Sequence, residues 1–424
     1  MGYDVRAHIN GEWVDGPTAD NLNPADSEAR LGTYPKLSRP DTEAAIAAAE
    51  AAFPAWRAMP APQRGKILTR ALSLFDARRE EIARALTLEE GKILSEAQGE
   101  VQKAYNVLEF AIAEGRRMGG HTIPSEMPST FAYTVRQPLG VVALITPWNF
   151  PVAIPMWKLA PALIAGNTVV FKPASLTPWT AELLVRVFVD AGLPKGVLNM
   201  VTGGGATVGD ALVSDPRVRA ISFTGSNDVG LHLYGLAAKR GARVQCEMGG
   251  KNPLVVLDDA DLDMAALATA QGAFGSTGQR CTATSRAIVQ AAVADAFVER
   301  VVAHARQVVA GSGLDPKVTM GPSVDGGQLC TVLDYVAIGD EEGAKRLCGG
   351  ERLTDGALGR GFFPAPTVFD YVRPGMRIAQ EEIFGPVLSV LRVETYDEAV
   401  ALVNANPYGN GVAIFTGSGG AARK

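Results

Sequence analysis

Three short stretches of the chain hold side chains whose types and surroundings suit covalent chemistry on a carbonyl. Cys281 lies in Ser276-Thr277-Gly278-Gln279-Arg280-Cys281-Thr282-Ala283, among small and polar residues and beside Arg280. Cationic, polar surroundings favour the thiolate, which is the reactive form of cysteine. A lone cysteine is more often a small buried hydrophobe. Cys246, Cys330 and Cys348 read that way, in strand-like, apolar or turn contexts. Glu247 falls between an apolar run and Gly249-Gly250. Burial there would raise its pKa towards the working range of a general base; the alternative is an exposed turn glutamate. Asn149, in Pro147-Trp148-Asn149-Phe150-Pro151, carries an amide in a proline-bent loop. A rigidly held N–H is what a developing alkoxide needs, although an asparagine there could equally satisfy local backbone.

A second group of residues suits a dinucleotide. Ile221 to Gly230 reads as a strand, a tight Gly225-Ser226 turn and a helix start. Gly225 would let backbone approach a phosphate closely, and the N–H groups of the helix N-terminus near Ser226 would face that anion. Lys172, in Phe171-Lys172-Pro173-Ala174-Ser175, ends another strand, where ligands of parallel sheets bind; a solvated surface lysine is the plainer reading. No intact Gly-x-Gly-x-x-Gly follows a strand. The run Gly417 to Ala422 matches a looser form but leaves no room for a helix behind it, and Gly203-Gly204-Gly205 reads as a turn. Thiolate, amide, carboxylate and dinucleotide cradle together are the equipment for oxidising an aldehyde through a thioester.

These residues need a scaffold, and the hydrophobic pattern describes one. From Asp41, read as an N-cap, to about Glu114 the spacing of Ile46, Ala49, Phe53, Trp56, Leu68, Leu72, Phe75, Ile82 and Leu86 is helical, with Gly91 closing a helix. Beyond it, buried strands (141–145, 168–171, 218–223, 253–257, 287–290 and 387–393) alternate with helical stretches such as 180–191 and 229–238. Strand–helix alternation implies βαβ units and a mostly parallel sheet, an α/β fold.

Composition sets outer limits. A chain of 424 residues suggests two or three domains. Its 45 acidic and 40 basic side chains, net −5, argue against a nucleic-acid binder held by general charge. Four cysteines without regular spacing argue against a disulfide framework or zinc ribbon, and no metal site is expected; a reducing cytoplasm fits best. No secretory signal is visible at the N-terminus. The uncharged stretch between Arg136 and Lys158 could be mistaken for a membrane span, but Pro138, Pro147, Pro151 and Pro155 interrupt it, and no membrane partner is expected.

The motifs resemble the aldehyde dehydrogenase superfamily. The blocks run in family order: Pro147–Pro151, Lys158–Leu163, Lys172–Ser175, Phe223–Ser226, Glu247–Lys251, Gly278–Cys281 and Glu381–Pro386. The similarity extends from Ile9-Asn10-Gly11-Glu12-Trp13 to Ile414-Phe415-Thr416. It implies a Rossmann-type dinucleotide-binding domain over 1–124 and 146–248, oligomerisation strands over 125–145, and an α/β catalytic domain over 249–424. By resemblance, Cys281 is the nucleophile, and Asn149 with the Cys281 N–H forms the oxyanion hole. Glu247 is the base that activates water, and Lys158 handles protons near it. Lys172 contacts the adenosine ribose, Gly225 and Ser226 the pyrophosphate, and Glu382 the nicotinamide ribose. Phe384 lies beside the ring, and Trp148 counts among the cofactor contacts.

The same resemblance narrows the chemistry. Relatives that pass the acyl group to coenzyme A lack the glutamate found at Glu247, so hydrolysis to a free acid is expected. Many NAD-preferring relatives have glutamate where Ser175 stands; serine removes repulsion of a 2′-phosphate, so NAD and NADP are both expected, leaning to NADP. The segment Phe274–Arg286 resembles the 2-oxoglutarate semialdehyde (2,5-dioxopentanoate) dehydrogenases, with succinate semialdehyde dehydrogenase the rival. Arg280 is a candidate partner for a substrate carboxylate, or turns away from the pocket. A homodimer or homotetramer is implied. Family members usually run on well past Ile414-Phe415-Thr416, so a chain truncated at its C-terminus, and of uncertain activity, is the further expectation.

Overall fold

A computed structural model describes residues 2–424 and divides them into two compact units. The first comprises the chain up to Asn21, Arg30–Glu89 and Ala97–Glu247. Its elements begin with strands β1 (Ala7–Ile9), β2 (Glu12–Val14), β3 (Thr18–Asn23) and β4 (Asp26–Pro35). Helices α1 (Arg39–Ala58), α2 (Ala61–Ala77), α3 (Arg79–Glu90) and α4 (Leu94–Glu114) and strands β5 (Thr122–Ile123) and β6 (Ala132–Tyr133) follow. Then come β7 (Val141–Ile145), α5 (Ala153–Ile164), β8 (Thr168–Lys172), α6 (Pro178–Asp190), β9 (Leu198–Met200), α7 (Asp210–Ser214), β10 (Val218–Thr224), α8 (Asn227–Ala238) and β11 (Arg243–Glu247).

Seven strands form one sheet in the order β11-β10-β7-β8-β9-β1-β2, parallel from β11 to β9. The chain runs from β7 outward to β9, then returns to lay β10 on the other side of β7. That reversal is the topological switch point where open parallel sheets bind ligands, beyond the strands' carboxyl ends. β7 and β8 are buried at every position, as near-continuous apolar strands in a two-sided parallel sheet must be.

Several differences from the sequence reading have local causes. Ser38, not Asp41, caps α1: its side chain accepts from the Asp41 N–H while the Asp41 carboxylate accepts from the Ser38 N–H. Asp41 is the third residue of a reciprocal capping box, which moves the start three residues upstream. Gly91 does follow a helix end, at φ +103°. Strand β7 was expected among oligomerisation strands over 125–145, but its five consecutive buried residues place it at the middle of the main sheet. Next to it in the chain, the two-residue strands β5 and β6 pair as a separate hairpin.

Glu89 shows how a buried charge organises this unit. It is 1% exposed. Its carboxylate accepts from the N–H groups of Trp179 and Thr180 at 2.6 and 2.9 Å, from Thr180 Oγ1 at 2.6 Å and from Asn21 Nδ2 at 2.7 Å. It thereby caps α6, whose own N-cap Thr177 makes no side-chain cap bond. Burial pushes the carboxyl up to about 7 against the opposing pull of these bonds.

The second unit comprises Leu22–Ala29, Glu90–Glu96 and Met248–Lys424. It contains β12 (Pro253–Val256), α9 (Leu262–Phe274), β13 (Arg286–Gln290), α10 (Ala291–Arg306), α11 (Gly326–Glu341), β14 (Lys345–Cys348), β15 (Thr367–Asp370), α12 (Arg377–Gln380), β16 (Val387–Val393), α13 (Tyr396–Asn404), β17 (Ala413–Phe415) and α14 (Gly419–Arg423). The sheet order is β14-β15-β16-β13-β12-β17, parallel except at β14. Successive side chains alternate between two cores. Leu254, Val256, Ala287, Val289, Leu388 and Val390 pack with Phe274 and Phe297. Val255, Leu257, Ile288, Val387 and Leu391 pack with Val336 and Ile378. The single turn α14 forms inside the glycine run where no helix was expected, because Ser418 Oγ accepts from the Ala421 N–H and caps it.

Replacing Glu89 with alanine leaves the first turn of α6 without its acceptors. Denaturant unfolding should show a loss of about 3 kcal/mol in the stability of this unit, within the usual range for stranding buried polar partners. A loss below about 1 kcal/mol would contradict the capping role.

Candidate active site

In the first unit the site residues stand at the carboxyl ends of β7, β8 and β10. The chain leaves β7 through Thr146, whose N–H donates to Lys172 O at 3.2 Å. It then passes the half-buried Trp148 and the buried Asn149 before entering α5. The N-terminus of α5 is fixed by Glu100 Oε1, which accepts from the Val152 and Ala153 N–H groups at 2.8 and 3.0 Å. Two prolines and this buried acceptor leave the loop little freedom, as the motif suggested.

Lys158 lies on α5, 9% exposed. Its Nζ donates to Ser222 Oγ at 2.7 Å, Ser222 Oγ donates to Gln245 Oε1 at 2.7 Å, and Gln245 Nε2 donates to Glu247 Oε1 at 2.7 Å. Burial pushes the lysine down to about 8, and Glu247 and Cys246 pull it partly back. Glu247 itself is exposed. The expectation of a buried carboxyl is therefore corrected. β11 is the edge of its sheet and alternates exposed and half-buried residues, with Glu247 on the exposed face.

Lys172 closes β8, 7% exposed, with Nζ donating to Pro173 O at 3.2 Å; desolvation pushes it down to about 8. Half-buried Ser175 donates to Gly203 O at 3.2 Å. Between β10 and α8, the Gly225 N–H donates to Glu247 O at 3.1 Å. A Cβ at Gly225 would lie 2.5 Å from the Phe223 ring, so a side chain there would have to displace that ring. Ser226 is the N-cap of α8 but makes no side-chain cap bond, and the buried Thr224 Oγ1 has no hydrogen-bond partner. A glycine turn, helix N–H groups left unclaimed by the cap side chain and an orphaned buried hydroxyl suit the phosphates of a dinucleotide.

In the second unit Cys281 sits just after a left-handed turn. Ser276, Thr277 and Gly278 have φ of 49°, 56° and 68°. Glu96 Oε1 accepts from the Ser276 N–H at 2.7 Å, and Thr277 Oγ1 donates to Gly321 O at 2.9 Å. The Gln279 side chain accepts from the Val324 N–H at 2.9 Å and donates to Pro322 O at 3.3 Å. Asn252 then holds the cysteine's own backbone: its Nδ2 donates to Cys281 O at 2.7 Å and Ala283 O at 3.1 Å. Cys281 is half-buried.

Arg280 does not present its guanidinium freely. Its Nη2 donates to Gln271 O at 2.7 Å and Gly272 O at 3.1 Å, carbonyls at the C-terminal end of α9. A cation there completes the helix end, and this is the turned-away alternative of the sequence reading.

Glu382 Oε1 accepts from the Gly250 N–H at 2.9 Å, and burial raises its pKa. A Cβ at Gly249 would lie 1.9 Å from Glu382 Oε2, so Gly249 makes room for the carboxylate. Phe384 has φ of 59°, and Gln328 Nε2 donates to Ile383 O and Phe384 O at 3.1 and 3.0 Å. Gly250, Gly278, Arg280, Glu382 and Phe384 line one recess.

Sequence reasoning missed Asn252, Gln328, Ser222 and Gln245. Signals existed for two of them. Asn252 is a polar residue at the mouth of a buried strand, and Gln245 stands two residues from Glu247, on the same face of a strand. Among the described residues no cluster of histidine, cysteine and carboxylate side chains could hold a metal, and no helix is long and apolar enough to cross a membrane.

The close approach at Gly278 is testable. A Cβ there would lie 2.1 Å from Gly385 O, at a φ that disfavours any side chain. Gly278→Ala should change the iodoacetamide alkylation rate of Cys281 by about 5-fold or more, roughly the effect of 1 kcal/mol, while circular dichroism stays native. An unchanged rate would show that the turn does not set the thiol's environment.

The comparisons with known proteins follow this geometry. The model of the aldehyde dehydrogenase family matches residues 13–424. An alpha-ketoglutaric semialdehyde dehydrogenase of Bacillus subtilis is 45% identical, over 96% of this chain and 84% of its own. A 2,5-dioxopentanoate dehydrogenase of Saccharolobus solfataricus is 46% identical, over 95% of this chain and 84% of its own. The crystal structure of betaine aldehyde dehydrogenase from Staphylococcus aureus in complex with NAD+ superposes with a TM-score of 0.97 at 35% identity, covering 99% of this chain and 84% of that one. The family match runs to Lys424, the last residue of this chain, and the chain covers 84% of the length of each of these relatives. By sequence and by fold, this chain belongs to the aldehyde dehydrogenase family.

Proposed function

We propose that this chain oxidises a semialdehyde to the carboxylic acid with NAD or NADP, and that its substrate is 2-oxoglutarate semialdehyde. The observation that carries the reading is the identity of 45–46% to dehydrogenases named for that aldehyde, joined to the Cys281, Asn149 and Glu247 motifs. Succinate semialdehyde remains the alternative substrate. A truncated, catalytically silent relative is disfavoured by the same matches.

In this reading the Cys281 thiolate attacks the aldehyde carbon, a C–S bond forms, and the carbonyl π pair moves to oxygen. The Asn149 amide and the Cys281 N–H hold that oxyanion. When the carbonyl re-forms, the C–H bond breaks and leaves a thioester on Cys281. Bound NAD or NADP supplies the acceptor for the hydride. Glu247 then takes a proton from water as its oxygen adds to the thioester carbon; the C–S bond breaks, and the acid leaves with the thiolate restored. The exposure of Glu247 suits this role, because a hydrolytic base has to meet water. Lys158 handles protons near that base. Arg280 acts as the cap of α9 in this reading, not as the substrate's partner.

The cofactor is held by Lys172 at the adenosine ribose, Gly225 and Ser226 at the pyrophosphate, and Glu382 at the nicotinamide ribose. Phe384 and Trp148 complete the contacts. The Ser175 hydroxyl, already engaged with Gly203 O, brings no negative charge against a 2′-phosphate, so both cofactors serve and NADP is preferred. The chain works in the cytoplasm as a homodimer or homotetramer; the exposed Ile123, Phe131 and Tyr133 of the β5–β6 hairpin are apolar surface of the kind an oligomer covers.

An aldehyde panel with NAD and NADP, followed by reduced-cofactor absorbance, tests the reading. The highest kcat/KM should fall on 2-oxoglutarate semialdehyde, and Cys281→Ala should abolish turnover. Ser175→Glu should raise the KM for NADP by about 10-fold or more against that for NAD, as about 1.4 kcal/mol of introduced repulsion would. A folded protein that reduces neither cofactor would overturn the proposal.

A further inference from the structure

The chain of bonds from Lys158 to Glu247 runs in one direction only. An ammonium can only donate and a carboxylate can only accept. Between them the Ser222 hydroxyl accepts from the lysine and donates to the Gln245 carbonyl oxygen, and the Gln245 amide nitrogen donates to Glu247; each link is 2.7 Å. The register of the sheet builds this path. β10 and β11 are parallel, with Ser222 directly opposite Gln245 and Thr224 opposite Glu247. Gln245 and Glu247, two residues apart on β11, share a face with Ser222. Lys158 reaches that face from α5.

We propose that Ser222 and Gln245 are positioning residues that tie the Glu247 carboxylate to the Lys158 ammonium, fixing where the carboxylate sits and favouring the charged lysine. The inference rests on reading Glu247 as the hydrolytic base. The chain transmits polarisation and not protons, since an amide nitrogen that donates to Glu247 cannot pass a proton on without changing its own bonding. Hydrogen bonds that point the same way strengthen one another. Gln245 therefore holds the Glu247 carboxylate in place, Lys158 makes Gln245 a better donor, and Glu247 favours the charged form of the lysine. The groups that act on Lys158 are Glu247 and Cys246, and Cys246 turns its thiol towards Gly230 O on α8, away from this chain.

Two readouts test the inference, one of which needs no turnover. Gln245→Met keeps the length and removes the amide; Ser222→Ala cuts the chain one link earlier and carries the same prediction should the methionine variant not fold. In either variant kcat should fall about 3-fold, because the carboxylate is no longer held in place, with the KM for cofactor unchanged. Ser222→Thr, which retains the hydroxyl, should restore the parent kcat. Separately, acetylation of Lys158 at pH 7.5 by acetic anhydride, followed by peptide mass spectrometry, should be about 3-fold faster in the cut variants, because the lysine loses its link to the anion. Parent protein that oxidises no aldehyde would defeat the proposed function and leave the labelling to decide the coupling. Equal Lys158 labelling in parent and variants, with an unchanged kcat where turnover is measurable, would overturn the inference.

Discussion

Two loops of the second unit approach so closely that only a missing side chain lets them coexist. The Cβ that Gly278 lacks would fall 2.1 Å from the Gly385 carbonyl oxygen. On one side of this contact stand Ser276, Thr277 and Gly278, all left-handed; on the other stands Phe384, also left-handed. Non-glycine residues in that region cost about 1–3 kcal/mol each. The strain is over-determined by neighbours: Glu96, Gly321, Pro322 and Val324 tie the first loop, and Gln328 ties the second. Cys281 follows the first loop and Glu382 precedes the second. The site residues of this unit are thus placed by backbone that no isolated peptide would adopt.

The first unit relies on a different constraint, the burial of charge at the carboxyl ends of parallel strands. Lys158 and Lys172 are both depressed to about 8, and desolvation is the leading cause for each. Water would erase such effects, and a strand end in a buried sheet excludes most of it. The exposed edge strand β11 supplies the contrast. It places Glu247 where water is available and still within the reach of Gln245. The glutamate proposed as the hydrolytic base and a protected lysine are joined across a few residues of one sheet face.

Much of this was legible in the residues, because apolar runs and turn signals report backbone directly. All six strands read as buried recur with ends shifted by no more than one residue. Helix starts were less secure, since Ser38 and Asp41 are both cap formers and only their reciprocal bonding decides between them. The motif blocks located Cys281, Asn149 and Glu247 in the chain. They could not tell that Glu247 lies on an exposed edge, because edge position depends on sheet order and not on neighbours in sequence. Arg280 was ambiguous for a related reason. Its direction is fixed by carbonyls eight and nine residues back, at the end of α9. Asn252, Gln328, Ser222 and Gln245 act through tertiary bonds, such as those across 23, 29, 56 and 64 residues, which local pattern does not record.

The central claim is that Cys281 carries the acyl group until Glu247 releases it. Intact-protein mass spectrometry of Glu247→Gln, quenched in acid after mixing with 2-oxoglutarate semialdehyde and NADP, addresses it directly. The account predicts a mass increase equal to one acyl group less the thiol hydrogen, located on Cys281 by peptide mapping and absent from Cys281→Ala. Reduced cofactor formed without any adduct on Cys281, or an adduct on another residue, would contradict it.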